Sequence, residues 1–181
     1  MRRLVIVLVA LFASVVTSIP APAAAENTAL LQERAAVDSF TQSLGVHVGR
    51  LEVPAIGLDE VIREGVDLSV IDKGVAHWSG TAGPGAPGNM VLAGHRTTHS
   101  APFYDLDELV EGDIVYVTGM DGRVATYEIV ESMIVTPTDT WIVDQTDTPM
   151  VTLFACHPKG SATHRIVIRA ELREQPVVQF P

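Results

Sequence analysis

Residues 150–172 read MVTLFACHPKGSATHRIVIRAEL, two β-rich runs separated by a turn-rich segment. The first run, Met150 to Ala155, ends directly before a cysteine, Cys156, and the second, Ile166 to Leu172, is predicted to be the last strand. The segment between them begins His-Pro-Lys-Gly, at residues 157–160. A cysteine between a strand end and such a segment is expected at a surface rim rather than in the middle of a core.

Short β-rich runs also occupy the sequence before residue 150. They are interrupted by turn signals, such as Asp121-Gly122, which favours a hairpin because this pair tolerates positive φ. Pro102 to Leu109 is predicted to form a helical turn. Many short strands with few helices indicate an all-β domain, either an antiparallel sandwich or a closed barrel. The predicted strands are Val46–Val53, Val61–Val66, Val75–Trp78, Asn89–Gly94, Asp113–Thr118, Val124–Val130 and Met133–Val135.

The N-terminus has the features of an export signal. Arg2 and Arg3 precede a nearly pure apolar run, residues 4–16, and three alanines follow at 23–25. The apolar run is shorter than the roughly 20 residues a spanning helix requires. Residues 1–25 are therefore predicted to be a signal peptide or a short membrane anchor, and cleavage or retention stays open. Residues 26–45 have a loose helical period and are predicted to form a helical stalk.

Composition and charge restrict the partners and the role of the thiol. The formal net charge of −10 disfavours binding to nucleic acid. The chain has one cysteine, so a disulfide within the chain is impossible. In an oxidising compartment, a lone thiol is buried and inert, paired with another chain, or kept for its reactivity.

Three segments carry residues suited to acyl transfer. Cys156 offers a thiolate nucleophile, His95 follows the apolar run ending in Ala-Gly, and Arg165 begins the last predicted strand. A guanidinium can stabilise an oxyanion. Taken singly, Cys156 also fits a small core residue, His95 a polar residue that ends a strand, and Arg165 a solvated arginine. Arg169 shares a strand face with Arg165, so spacing alone does not choose between the two arginines.

In combination, these residues resemble the sortase family of cysteine transpeptidases. Residues 152–156 read Thr-Leu-Phe-Ala-Cys, like the family's Thr-Leu-x-x-Cys signature, and the spacing from Cys156 to Arg165 also matches. Residues 93–96, Ala-Gly-His-Arg, resemble the family's histidine motif. The histidine motif and the Cys-His-Pro context look most like class E, the housekeeping type of high-GC Gram-positive bacteria. The resemblance covers residues 48–172.

The resemblance implies a closed eight-stranded β-barrel with one or two short helices. It assigns the roles of nucleophile, general acid/base and oxyanion stabiliser to Cys156, His95 and Arg165, respectively. It also suggests that Ala93, Thr152 and Phe154 bind substrate. Residues 46–172 then form the catalytic domain and residues 173–181 a C-terminal tail.

The same resemblance implies the reaction and its partners. The substrate is an LPxTG-like or LAxTG-like sorting signal cut after threonine, and the acceptor is an amine of the cell-wall precursor or of a pilin. The site is expected to face the outside of the cell, with contact to the membrane if the N-terminal segment is retained. The alternatives are an exported L,D-transpeptidase, a cysteine protease, and a non-catalytic surface module on the same barrel.

Two departures from the family pattern occur near the cysteine. Ala155 stands where threonine is usual, so a hydroxyl is lost beside Cys156, and Gly160 replaces a bulkier loop residue. No cofactor and no catalytic metal is expected, because His99, His157 and His164 lack the spacing of a zinc site. The acidic residues between 105 and 113 lack an EF-hand pattern and are predicted to form a solvated face.

Overall fold

The computed structural model describes residue 32 and residues 46–178, with side chains described through Arg173. The predicted signal or anchor segment, 1–25, and the helical stalk, 26–45, lie outside the described residues, apart from Gln32. Among the residues described, no helix is long and apolar enough to cross a membrane.

Residues 46–178 contain eight strands and a few short helical segments. A four-residue α-helix, α1, spans Leu68–Ile71, and 3-10 turns span Pro54–Ile56, Leu106–Glu108 and Thr140–Val143. The turn at Leu106–Glu108 lies within the predicted Pro102–Leu109 segment. The strands are β1 (His47–Val53), β2 (Leu58–Glu64), β3 (Val75–His77), β4 (Asn89–Ala93), β5 (Ile114–Gly119), β6 (Arg123–Val135), β7 (Met150–His157) and β8 (His164–Val178).

The strands of residues 46–178 close into a barrel in the order β1-β2-β3-β4-β7-β8-β6-β5, with β5 pairing back to β1. This confirms the closed barrel and excludes the sandwich. Two of the strand pairs are parallel, β2 with β3 and β4 with β7, a feature that the sequence did not predict. Parallel neighbours need a long connection, and residues 94–149 provide it between β4 and β7.

The barrel interior is filled by side chains that alternate along each strand. On β7, Val151, Leu153 and Ala155 face the core, so Phe154 and Cys156 lie on the opposite face, as the period of two requires. Burial of apolar area of this kind supplies the main stabilisation of such a domain. The alternation along β7 therefore fixes which side chains are available to a site outside the barrel.

Two strands are longer than predicted. β6 joins the runs 124–130 and 133–135 into one strand, and its pairing with β8 contains several register shifts. β8 continues past Leu172 to Val178, with backbone pairing to the start of β6 at Arg123. Much of the predicted C-terminal tail, 173–181, is therefore strand, since the long β6 offers ladder partners that the local sequence does not reveal.

A pair of polar residues, Glu64 and His77, links the parallel strands β2 and β3. Glu64 Oε2 lies 2.7 Å from His77 Nδ1, and His77 Nε2 lies 3.1 Å from the carbonyl oxygen of Ala82. Burial raises the pKa of Glu64, but hydrogen bonds with His77 and Ser79 outweigh burial and lower the pKa below its ordinary value of 4.5. The ionised carboxylate is thus the form that the fold favours.

We expect this pair to make stability depend on pH. Because the folded-state pKa is lowered, its contribution is present above the ordinary glutamate pKa and is lost as pH falls through the folded value. Glu64→Gln should lower the melting temperature by about 2–4 °C at pH 7. The difference from wild type should shrink below pH ~4, as measured by thermal denaturation from pH 3 to 7. A difference that is the same at every pH would contradict this prediction.

Candidate active site

Cys156 lies near the C-terminal end of β7, on the face that points away from the barrel core. Its thiol is free and half-buried. In the antiparallel β7–β8 ladder, Cys156 is the direct partner of Arg165. Side chains of directly opposite residues lie on one face about 5 Å apart at Cβ, so the register itself brings the thiol and the guanidinium together.

His95 reaches the same area through the parallel pairing of β4 with β7. Ala93, the last residue of β4, is in register with Phe154, and the amide of Gly94 donates to the Phe154 carbonyl at 3.3 Å. Gly94 is required sterically, because a Cβ there would lie 2.7 Å from the ring of Phe103. The close packing of Gly94 against Phe103 lets the chain place His95 on the side of β7 opposite Arg165. The His95 side chain is 18% exposed.

The register separates the two arginines that sequence spacing left equivalent. Arg165 is held at the start of β8 by hydrogen bonds from Nη1 to the carbonyl oxygens of Ala162 (3.0 Å) and His164 (2.8 Å). Arg169 pairs instead with Thr152, and its guanidinium lies 5.7 Å from the centre of the Trp141 ring. Of these two arginines, Arg165 is therefore the one beside the thiol.

One groove of about 270 Å³ is bordered by Cys156, His95 and Arg165 together. Its wall is mostly apolar and includes Ala93 and Phe154, two of the three residues to which the family resemblance assigns substrate binding. A second cavity of about 220 Å³ adjoins the groove, since the two share Trp78, Phe154 and Arg165. The remaining residues of the first groove are Val66, Leu68, Ile71, Trp78, Gly94 and Ala155.

Thr152 does not occupy the position expected of a substrate-binding residue. It is fully buried, and its Oγ1 donates to Asn89 Oδ1 at 2.7 Å. Asn89 Nδ2 in turn donates to the carbonyl oxygens of Ile142 and Asp144, at 3.0 and 3.1 Å. The segment before β7 thus covers this part of the strand, and Thr152 anchors that segment instead of lining either cavity.

Ala155, the departure from the family pattern, is 2% exposed and belongs to the core cluster while bordering the groove. The hydroxyl that is lost by having alanine instead of threonine at position 155 is therefore lost from a core-facing position.

Two residues of the site were not predicted from sequence. Asp72, directly after α1, lies with Oδ1 2.8 Å from His95 Nε2. A carboxylate can only accept, so Nε2 donates the hydrogen and Nδ1 of the neutral ring keeps the lone pair. The ring of His99 stacks on His95, with centroids 4.7 Å apart and planes at 22°. Asp72 thereby sets which nitrogen of His95 accepts a proton.

The acidic segment before β5 is partly neutralised rather than simply solvated. Asp107 pairs with the buried Arg96 at 2.6 Å, and Asp105 pairs with Lys159 at 3.1 Å. Burial raises the pKa of Asp107, but Arg96 and Lys159 outweigh it and lower the pKa. Because Lys159 follows Cys156 closely in sequence, these ion pairs fix the loop that leaves the active site.

A thiol, an imidazole and a guanidinium around one apolar groove make up the set of groups that cysteine-dependent acyl transfer requires.

Residues 51–173 match the sortase domain. The chain is 36% identical over 134 residues to sortase D of Bacillus subtilis, a match covering 72% of this chain and 66% of that relative. It is 29% identical over 141 residues to sortase SrtE1 of Streptomyces coelicolor, a match covering 69% and 40% of the two chains. The solved structure of sortase E from Streptomyces avermitilis superposes with a TM-score of 0.66 at 32% identity, covering 74% of this chain and 92% of that one. The chain belongs to the sortase family. It spans between 40% and 66% of the length of these two curated relatives.

Proposed function

We propose that this chain is an exported cysteine transpeptidase that cleaves a sorting signal and transfers the cleaved protein to an amine. The observation that carries the proposal is the convergence of Cys156, His95 and Arg165 on one groove from three different strands or strand ends. Side chains on strand ends are held more precisely than side chains on loops, which suits a preorganised site.

The proposed reaction proceeds through a thioester. The Cys156 thiol gives its proton to His95, and the resulting thiolate attacks the carbonyl carbon of the Thr–Gly bond while the Arg165 guanidinium stabilises the oxyanion. The C–N bond breaks as His95 protonates the departing glycine amine. An acceptor amine then attacks the thioester and gives its proton to His95. This attack forms the new amide and releases the Cys156 thiolate. With Nε2 engaged by Asp72, the proton transfers use Nδ1 of His95.

For the substrate, we propose a pentapeptide motif of the LAxTG or LPxTG type, as in class E sortases. The Ala-Gly-His-Arg and Cys-His-Pro segments support this class, as does the similarity to a solved sortase E. The apolar wall formed by Ala93 and Phe154 suits the apolar residues of such a peptide. The proposed acceptor is an amine of the cell-wall precursor or of a pilin, with the enzyme on the outer face of the membrane.

One assay separates this function from its alternatives. The full chain is incubated with a labelled LAxTG peptide and with an LPxTG peptide, each with and without oligoglycine, and the products are weighed by mass spectrometry. We expect the threonyl–glycine adduct with oligoglycine present. Hydrolysis alone would favour a cysteine protease, and no reaction with either peptide would favour an L,D-transpeptidase or a non-catalytic module.

Arg165 and Arg169 offer a matched pair of substitutions on one strand face. Arg165→Lys should lower kcat/KM for transfer about 10²-fold, because lysine keeps the charge but loses the planar fork of donors beside the thiol. Arg169→Lys, opposite Thr152, should leave kcat/KM within about threefold of wild type. Initial rates give kcat/KM for the two variants, which should have matching melting temperatures. Equal losses of kcat/KM in both would contradict the assignment of Arg165.

A further inference from the structure

Asp72, His95 and His99 bring three metal-ligating side chains together at the edge of the groove. Asp72 Oδ1 lies 2.8 Å from His95 Nε2 and 3.5 Å from His99 Nε2. The ligand atoms of all three residues lie within 4.8 Å of one another. Zinc binds imidazole nitrogen and carboxylate oxygen at about 2.0–2.2 Å, which separates the donors of a tetrahedral site by about 3.3 Å. Small side-chain movements are enough to reach that spacing.

The three side chains come from separate segments, and one of them is held in a costly conformation. Asp72 follows α1, His95 follows β4, and His99 lies four residues further along the loop. His99 has φ of 54°, a left-handed value that is unusual for a residue other than glycine. With this backbone conformation, its ring stacks on His95. The cluster is open to solvent, since the side chains of Asp72 and His99 are 40% and 47% exposed.

We propose that Asp72, His95 and His99 form a binding site for a divalent transition-metal ion such as zinc, and that the bound ion inhibits the enzyme. Two histidines and one carboxylate are a donor set that such ions accept, with solvent in the remaining position. A neutral imidazole that coordinates through Nε2 carries its hydrogen on Nδ1. His95 then has no free lone pair to accept a proton. Metal binding stands independently of the proposed function, whereas inhibition rests on it.

Calorimetry tests the site without relying on activity. Zinc chloride is titrated into the full chain carrying Cys156→Ala, so that the thiol cannot supply a ligand. We expect one zinc per chain, and adding His99→Ala or Asp72→Ala should weaken zinc binding at least about tenfold. His47→Ala, which removes an exposed histidine on β1, is the matched control and should bind zinc like its parent. Loss of binding with Cys156→Ala alone, or unchanged affinity with His99→Ala, would overturn the proposed site.

Inhibition is measured on the chain with Cys156 intact, with each variant compared to its own zinc-free rate. Zinc should inhibit transfer reversibly, with recovery after addition of EDTA, and His99→Ala should raise the half-inhibitory concentration at least about tenfold. Binding at the three residues without inhibition of an active enzyme would refute the inhibitory role. If the zinc-free chain shows no transfer while calorimetry still shows binding that requires His99, the proposed function fails and the metal site stands.

Discussion

Replacing Cys156 with alanine is expected to lower transpeptidation by about 10⁴-fold or more, to the background of the assay. The thiol is the atom proposed to form the bond to the substrate carbonyl, and alanine offers no nucleophile in its place. Oxyanion stabilisation by Arg165 and peptide binding in the groove would remain, but these contributions do not replace bond formation. Transfer of the labelled peptide to oligoglycine, followed by mass spectrometry, measures the loss.

Two further measurements make the Cys156 result specific. The melting temperature of Cys156→Ala should stay close to wild type, because the side chain is half-buried and faces away from the barrel core. Intact-protein mass spectrometry of the wild-type chain with peptide and no amine should show an adduct of the threonyl fragment, and Cys156→Ala should show none. Substantial transfer by the alanine variant would sink the assignment of the nucleophile.

Local signals in the sequence predict much of the barrel, because hairpins form between neighbours in the chain. Asp121-Gly122 predicts the β5–β6 hairpin, and Gly122 indeed adopts φ of 76° between these strands. The segment Pro102–Leu109 is likewise predicted to contain a helical turn, and Leu106–Glu108 forms one. Each of these features depends on a few adjacent residues, which is why sequence alone was sufficient.

Features that depend on register between distant strands were beyond local reasoning. The β4–β7 parallel pair joins residues far apart in sequence, and it brings His95 to the groove beside Cys156. The choice between Arg165 and Arg169 also follows from which residue faces Cys156 across the β7–β8 ladder. The burial of Thr152 arises from the segment that Asn89 holds in place. Family resemblance is the basis on which Cys156, His95 and Arg165 were assigned roles. Asp72 has no local signal, because it is an exposed acidic residue after a four-residue helix.

Replacing His95 with alanine is expected to lower kcat/KM for transfer about 10³-fold, the second largest effect. Without the imidazole, the glycine amine must leave without a proton donor and the acceptor amine must attack without a base. Because the substitution leaves a space at the groove edge, added imidazole should restore part of the rate. His47→Ala, an exposed residue of β1 that does not border the groove, should retain the wild-type rate. Wild-type activity in His95→Ala would contradict the role of His95.

The position of Asp72 allows a sharper test of how His95 works. If Asp72 only stabilises the fold, Asp72→Ala should lower the melting temperature and leave kcat of the folded enzyme unchanged. If Asp72 holds the Nε2 hydrogen and so directs the lone pair of Nδ1 toward the groove, kcat should fall about tenfold with little change in KM, since the contact orients a proton-transfer group rather than the peptide. The short Asp72–His95 contact favours the second outcome. In the double variant with His95→Ala, the loss from Asp72→Ala should then disappear, because a residue that acts through His95 has nothing left to orient.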